Sequence, residues 1–417
     1  MKKLLCLLLC AIFILSLCAC EKAPVETTGS TVDSQASQIV ADDTTGAPGT
    51  NDAADDSIDS EILRLPMVAI SMPVIQEDTV AEDGTVIFSH IYQDASLIAP
   101  DADAAEKVVL NLLNQIDGGQ SHAQEIAGWA TEYYDPEELW YSYFYQLLYN
   151  PMRVDEKVLS LFGSEIAYSG GVHPNQICVS ATFDMVSGEL LQLDDILIDK
   201  SAATAFSQLI IEDLTANKDE YQLYDGYASV MNERFGGMAA NWKDQTDWYF
   251  SNNGLCVFFS PYDIAPYVSG RIIVEVPYDQ LSGIVKDDFL PPELPVSSGQ
   301  ISIALAQDVD LEQYNQFAEA ILNPDGERFV LYSDDLVTNV KLDQGSWSED
   351  GTVFTVDSTV FIAHTLCNGD AIMVQSQIPD TMPNLRLTYE SGGETFTLYI
   401  TQSSKDGTML FVDADIQ

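Results

Sequence analysis

Basic residues are what this sequence most lacks: 17 Lys and Arg stand against 65 Asp and Glu, a formal net charge of −48 in 417 residues. No basic run follows Lys3. Phosphate contacts need clustered Lys and Arg, so nucleic-acid binding is disfavoured. Histidine is scarce too, with four in the chain, and His90, His122, His173 and His364 form no pair at metal-ligand spacing. No Ser-His-Asp, Cys-His, EF-hand or phosphate-loop arrangement occurs. The expectation is therefore a protein that is not an enzyme, with no metal and no cofactor.

Long apolar runs are lacking as well. The single one, Leu4 to Leu17, is shorter than a comfortable membrane span and follows Lys2 and Lys3. It ends in Leu17-Cys18-Ala19-Cys20, which resembles the lipobox of bacterial lipoproteins. That resemblance implies cleavage before Cys20, lipid on the Cys20 thiol, and residence at the outer face of a Gram-positive plasma membrane. Residues 1–19 are then the signal. Residues 20–60 contain no aromatic residue and are rich in Thr, Ser, Ala, Gly and Asp, so they bury too little apolar area to offset chain entropy and read as a flexible acidic tether. With Cys6, Cys10 and Cys18 in the signal, only Cys178, Cys256 and Cys367 remain as thiols. A Cys178–Cys256 bridge is open to them, with buried free thiols the favoured reading.

What is present suffices for a core: 46% of residues are hydrophobic and 10% aromatic. Residues 61–150 read as an N-terminal α+β subdomain. Strands up to Tyr92 precede a helix after Pro100-Asp101, and a second, aromatic-rich helix is expected from Ser121 to about Tyr149. Residues 151–294 read as a second α+β part. Its strands are expected over Met152 to Phe162, Glu165 to Tyr168 and Ile177 to Met185, and its helix from Asp194-Asp195 through Ala216. A helical piece near Tyr224 to Phe235 and three strands from Asp247 to Val276 follow. Pro291-Pro292-Glu293-Leu294-Pro295 reads as a stiff linker. Residues 295–417 alternate apolar and polar in short runs, a β-rich domain for which a sandwich is one fitting arrangement, with a single helix expected over Asp310 to Leu322. The fold class expected is thus α+β, a mixed helix and antiparallel-sheet region followed by a β-rich domain.

Two stretches carry a family resemblance. One is Tyr168-Ser169-Gly170-Gly171-Val172-His173-Pro174-Asn175, continued by Gly188-Glu189-Leu190 and Leu193-Asp194-Asp195; the other runs from Trp248-Tyr249-Phe250 through Pro261-Tyr262 and Pro266-Tyr267 to Val276-Pro277-Tyr278. Together they resemble the extracytoplasmic domain pair of RsiV-type lysozyme-sensing anti-sigma factors and PdaC-type proteins, over about residues 60–290. The resemblance implies a ligand-binding ectodomain. It does not bring the metal-dependent deacetylase of PdaC-type proteins, because no His-x-x-x-His pair occurs.

The candidate binding residues are Tyr168, Gly170, Gly171, His173, Pro174, Tyr262, Pro266 and Tyr267. Glycines permit a tight loop around His173, and tyrosines beside prolines offer rigid amphipathic contact area. The competing reading is structural: His173 ties its loop to a neighbouring strand, and the Pro-Tyr turns pack on a sheet. Trp140 to Tyr145 could stack on sugars but fits a helical core better. The expected role is a surface-anchored module that binds a wall component such as peptidoglycan, or a cationic wall-lytic protein such as lysozyme. The alternatives are a wall-modifying enzyme with an unfamiliar site and a structural envelope protein.

Overall fold

The structure is a computed structural model that describes residues 65–231, 247–348, 350–379 and 382–413. The expected signal, Cys20 and the expected tether lie outside these residues. In chain order, β1 (Ala69–Ser71), β2 (Val74–Val80), β3 (Val86–Gln93) and β4 (Ser96–Ile98) precede helices α1 (Ala102–Gly118) and α2 (Gln120–Tyr133). Three long strands follow, β5 (Tyr143–Val154), β6 (Val158–Tyr168) and β7 (Asn175–Asp184). Next come α3 (Leu193–Ile196), α4 (Lys200–Ala216), α5 (Tyr227–Met231), β8 (Trp248–Phe250), β9 (Gly254–Phe259) and β10 (Ile272–Pro277). The rest is strand: β11 (Ile301–Leu305), β12 (Gln316–Ile321), β13 (Glu327–Ser333), β14 (Val337–Trp347), β15 (Phe354–Leu366), β16 (Asp370–Ser376), β17 (Leu385–Ser391), β18 (Glu394–Gln402) and β19 (Met409–Asp413). The class is mixed α+β with a β-rich C-terminal region, as the sequence pattern implies.

Four open sheets build the described residues. The first, ordered β2-β3-β5-β6-β7, is antiparallel except for the β3–β5 pair. Its residues alternate between two environments, as the pleat demands. Tyr145, Leu147 and Tyr149 face α1 and α2, in one core with Val108, Leu112 and Ile126. Phe162 and Cys178 face the second sheet, β10-β9-β8, in a smaller core with Tyr249, Cys256 and Phe258. The far side of that second sheet, with Phe250, Val257 and Val274, packs on Phe206, Ile210 and Leu214 of α4.

The third sheet, β19-β18-β17-β14-β15-β1-β4, and the fourth, β11-β13-β16-β12, enclose one core. Leu342, Val360 and Phe361 of one meet Phe329, Leu331 and Ile372 of the other, which makes a sandwich. β1 joins this sheet by pairing Ala69 with Ala363, so residues on both sides of the Pro-rich linker share it. Alternation along residues 67–72 divides the segment. Met67 and Ala69 point into the sandwich, whereas Val68, Ile70 and Met72 point into the core beneath α1.

The strand expected over Met152 to Phe162 is the end of β5 and the start of β6, parted by a bend at 155–157, and β6 runs on unbroken to Tyr168. Three expected helices also differ. The helix expected to about Tyr149 ends at Tyr133, and Tyr143–Val154 is a strand with buried and half-buried residues alternating along it. Pro136 stops the helix, and the aromatic run that follows has a period of two. Pro151 sits inside β5 where the register with β6 shifts, a place where its missing N–H does no harm. The helix expected from Asp194 is two. Asp195 closes the short α3 by accepting from the Gln192 N–H at 2.8 Å. Asp199 then caps α4, its carboxylate accepting from Ser201 at 2.7 Å and Ala202 at 2.9 Å. The helix expected over Asp310 to Leu322 is a 3-10 turn, Leu311–Gln313, followed by β12, which runs parallel to β16. Its small residues Ala318 and Ala320 alternate inward, which a sheet-on-sheet core needs.

Candidate functional site

The β6–β7 connection begins where Tyr168 leaves the sheet. Gly170 and Gly171 take φ of 95° and 111°, a region favouring glycine. A Cβ on Gly170 would also stand 3.0 Å from the Tyr143 hydroxyl oxygen. These two residues reverse the chain and set Val172 fully in solvent, at 100% exposure. The Tyr168 hydroxyl donates to the Gly171 carbonyl at 3.3 Å, which braces the turn from below.

His173 follows, and its Nδ1 lies 2.8 Å from the Pro174 carbonyl oxygen. A carbonyl only accepts, so Nδ1 carries the hydrogen, and in the neutral ring Nε2 is an acceptor. The Tyr262 hydroxyl points at that nitrogen from 3.5 Å. The imidazole stacks on Tyr267, with centroids 4.5 Å apart and planes at 24°, and Tyr262 and Tyr267 contact each other at 5.3 Å.

The two tyrosines come from the β9–β10 connection, which is tied down at several points. Ser260 N–H donates to Asp263 at 2.8 Å, the Ser260 hydroxyl accepts from Cys178 N–H at 2.9 Å, and Ile264 O accepts from Tyr224 N–H at 2.9 Å. Tyr262 has φ of 74°, an unfavourable setting for an aromatic residue, and is 56% exposed. Pro266 opens a 3-10 turn over Tyr267–Ser269 that closes at Gly270, with Val268 exposed at its tip. Pro266 thus places Tyr267.

Of the eight expected residues, the structure brings His173, Tyr262 and Tyr267 into one ring cluster. It makes Tyr168, Gly170, Gly171, Pro174 and Pro266 the frame that holds them. Cys178 and Cys256 are both buried thiols with no bridge, and Cys367 is a third. Burial pushes the Cys256 thiol up to about 12, so it stays protonated and unreactive at neutral pH.

The aromatics from Trp140 to Tyr145, expected in a helical core, instead flank this loop. Tyr134 meets Trp140 edge-on at 5.4 Å, Trp140 stacks on Tyr143 at 4.7 Å, and Tyr143 meets Tyr168 edge-on at 6.0 Å. This row leads along the sheet end to the Gly170 loop, with Leu139 81% exposed beside it. The signal is the alternation Tyr141-x-Tyr143-x-Tyr145, which is visible only once residues 143–149 are read as a strand. The combined surface offers rings, one imidazole acceptor and a fully exposed Val. Asp263, next to Tyr262 in the sequence, accepts from the Ser260 N–H of its own loop. Among the described residues, no three His, Cys, Asp or Glu side chains converge as metal ligands, and no helix is long and apolar enough to cross a membrane.

Residues 194–279 match the DUF3298 family, described as a protein family of unknown function, and a DUF3298 domain is therefore present in the chain. It holds Tyr262, Pro266 and Tyr267, whereas the His173 loop precedes it. Among solved structures, a DUF3298 family member from Bacteroides fragilis is similar at 15% identity, with 53% of this chain and 94% of that chain covered and a TM-score of 0.40. A DUF3298 family protein from Pseudomonas aeruginosa is similar at 16% identity, with coverages of 54% and 97% and a TM-score of 0.37. No curated protein matches.

Proposed function

We propose that the chain is an extracytoplasmic lipoprotein, anchored through lipid on Cys20, that binds a ligand without transforming it. The ligand is a cationic wall-lytic protein of the lysozyme kind. The observation that carries this reading is the His173–Tyr267–Tyr262 cluster. It is exposed, it draws on two separate loops, and it is held by backbone conformations that are costly for Tyr262 and accessible to Gly170 and Gly171. Rings fixed before binding lose little entropy when a partner arrives. The net charge of −48 supports a cationic partner through long-range steering, as does the resemblance to RsiV-type ectodomains.

Calorimetric titration of the purified chain with lysozyme at low and moderate salt tests the binding. Saturable heat at both salts is expected, weaker at the higher one; absence of binding at both removes lysozyme, and turnover of peptidoglycan fragments would replace binding by catalysis. The anchor has its own test. Cys20→Ala should move the chain from the membrane fraction to the soluble one, and unchanged retention would refute lipidation.

A further inference from the structure

A second surface lies on β2, the outer strand of the five-stranded sheet. Among the described residues it pairs with β3 alone, and Gln76 to Val80 are exposed. Its hydrogen-bonding phase follows from one contact. Asp94 N–H donates to Pro73 O at 3.1 Å, so residues 73 and 94 are a hydrogen-bonded pair. Antiparallel pairs alternate, so Ile75, Glu77 and Thr79 bond inward to β3, and the N–H and C=O of Gln76 and Asp78 point away from the sheet. Such an edge is a template for another strand.

A groove of about 400 Å³ runs along this edge between β2 and α2, because α2 sits over β3 and β5 and leaves β2 uncovered. Glu77 and Thr79 form one wall, Gln120 and Gln124 the other, and His90 and Tyr92 stand on the floor, stacked at 4.6 Å. Residues 74–93 and 120–133 contain Glu77, Asp78, Glu82, Asp83, Glu125 and Glu132 but no Lys or Arg. Burial lowers the His90 pKa against the pull of Glu77, so the ring brings no positive charge at neutral pH. Hydrogen bonds from Gln76 and Ser89 keep Asp78 ionised.

We propose that β2 is a docking edge for an extended, basic segment of a partner protein, which would add a sixth strand to this sheet. Its backbone would pair with Gln76 and Asp78. Side chains on one of its faces would lie over the groove, where Lys or Arg meets Glu77, and those on the other would pass Asp78.

The test uses the purified full chain and a ten-residue peptide of alternating Lys and Thr. Two controls are the same peptide with Glu in place of Lys, and the Lys peptide with Pro in place of Thr, which keeps the charge but cannot pair. Amide hydrogen exchange at Gln76 and Asp78 should slow at least tenfold with the Lys-Thr peptide and with neither control. Equal binding by the Pro peptide, or binding without slowing at these two amides, would overturn the proposal, as would no binding at all. Glu77→Gln, checked for an unchanged melting temperature, should weaken binding at least threefold at low salt. Unchanged affinity would remove the charge recognition.

Discussion

His173 shows how far one residue's surroundings define its work. Its Nδ1–H is committed to Pro174 O and its ring to Tyr267, so what it offers outward is one acceptor nitrogen already faced by the Tyr262 hydroxyl. Under the proposed binding role, that nitrogen is what a ligand's N–H or O–H would meet. Arg153 has the opposite setting. It is 2% exposed, pairs with Asp155 at 2.6 Å, donates to Phe289 O at 2.6 Å, and lies over the rings of Phe250 and Tyr278. It joins β5 to the second sheet and to the chain beyond residue 285. Removing one partner of a buried pair strands the other, so Arg153→Ala should cost roughly 3 to 5 kcal/mol. Urea unfolding measures this, and a loss below about 1 kcal/mol would mean that Asp155 is held by the Lys157 and Val158 amides alone.

At the scale of elements, Gly119 joins two helices. Its N–H closes α1 on Ile116 O at 3.1 Å, and its carbonyl accepts from His122 and Ala123 N–H to start α2. Its φ of −76° is ordinary, so alanine would meet no backbone strain and would gain roughly 0.5 to 1 kcal/mol of helix preference. The added Cβ, however, would stand 2.4 Å from the hydroxyl oxygen of buried Tyr145. Overpacking costs roughly 1 to 3 kcal/mol, so Gly119→Ala should lower stability on balance, and a raised melting temperature would contradict this. Element types were legible where signals agreed. Asp101 before Ala104, Val108 and Leu112 marked α1, and its side chain does accept from Ala104 N–H at 3.0 Å. They were illegible where residue type and period conflicted. Tyr143 to Tyr149 carries aromatics that suit either state, and only the partners β3 and β6 settle it as a strand. For the candidate site, the His173 and Tyr262 loops could be named because Gly and Pro mark loops locally. The Trp140–Tyr143–Tyr168 row could not, since it depends on a register between strands that local sequence does not reveal.

At the largest scale, four sheets build the described residues, and the chain around them is strongly acidic. Acidic residues are spread through residues 20–60, the middle region and the sandwich, so under the proposed role they would draw a cationic partner without choosing among such molecules. Under the proposed binding role, choice would come from fixed local chemistry, which the exposed ring cluster between the β6–β7 and β9–β10 loops would supply. The measurement that bears most directly on this is the lysozyme titration repeated with His173→Ala at moderate salt, where general charge attraction is screened. Removing the stacked imidazole should raise the Kd about tenfold, close to 1.4 kcal/mol, while the melting temperature stays within about 2 °C. An unchanged Kd with the fold intact would contradict the account and return His173 to a purely structural role.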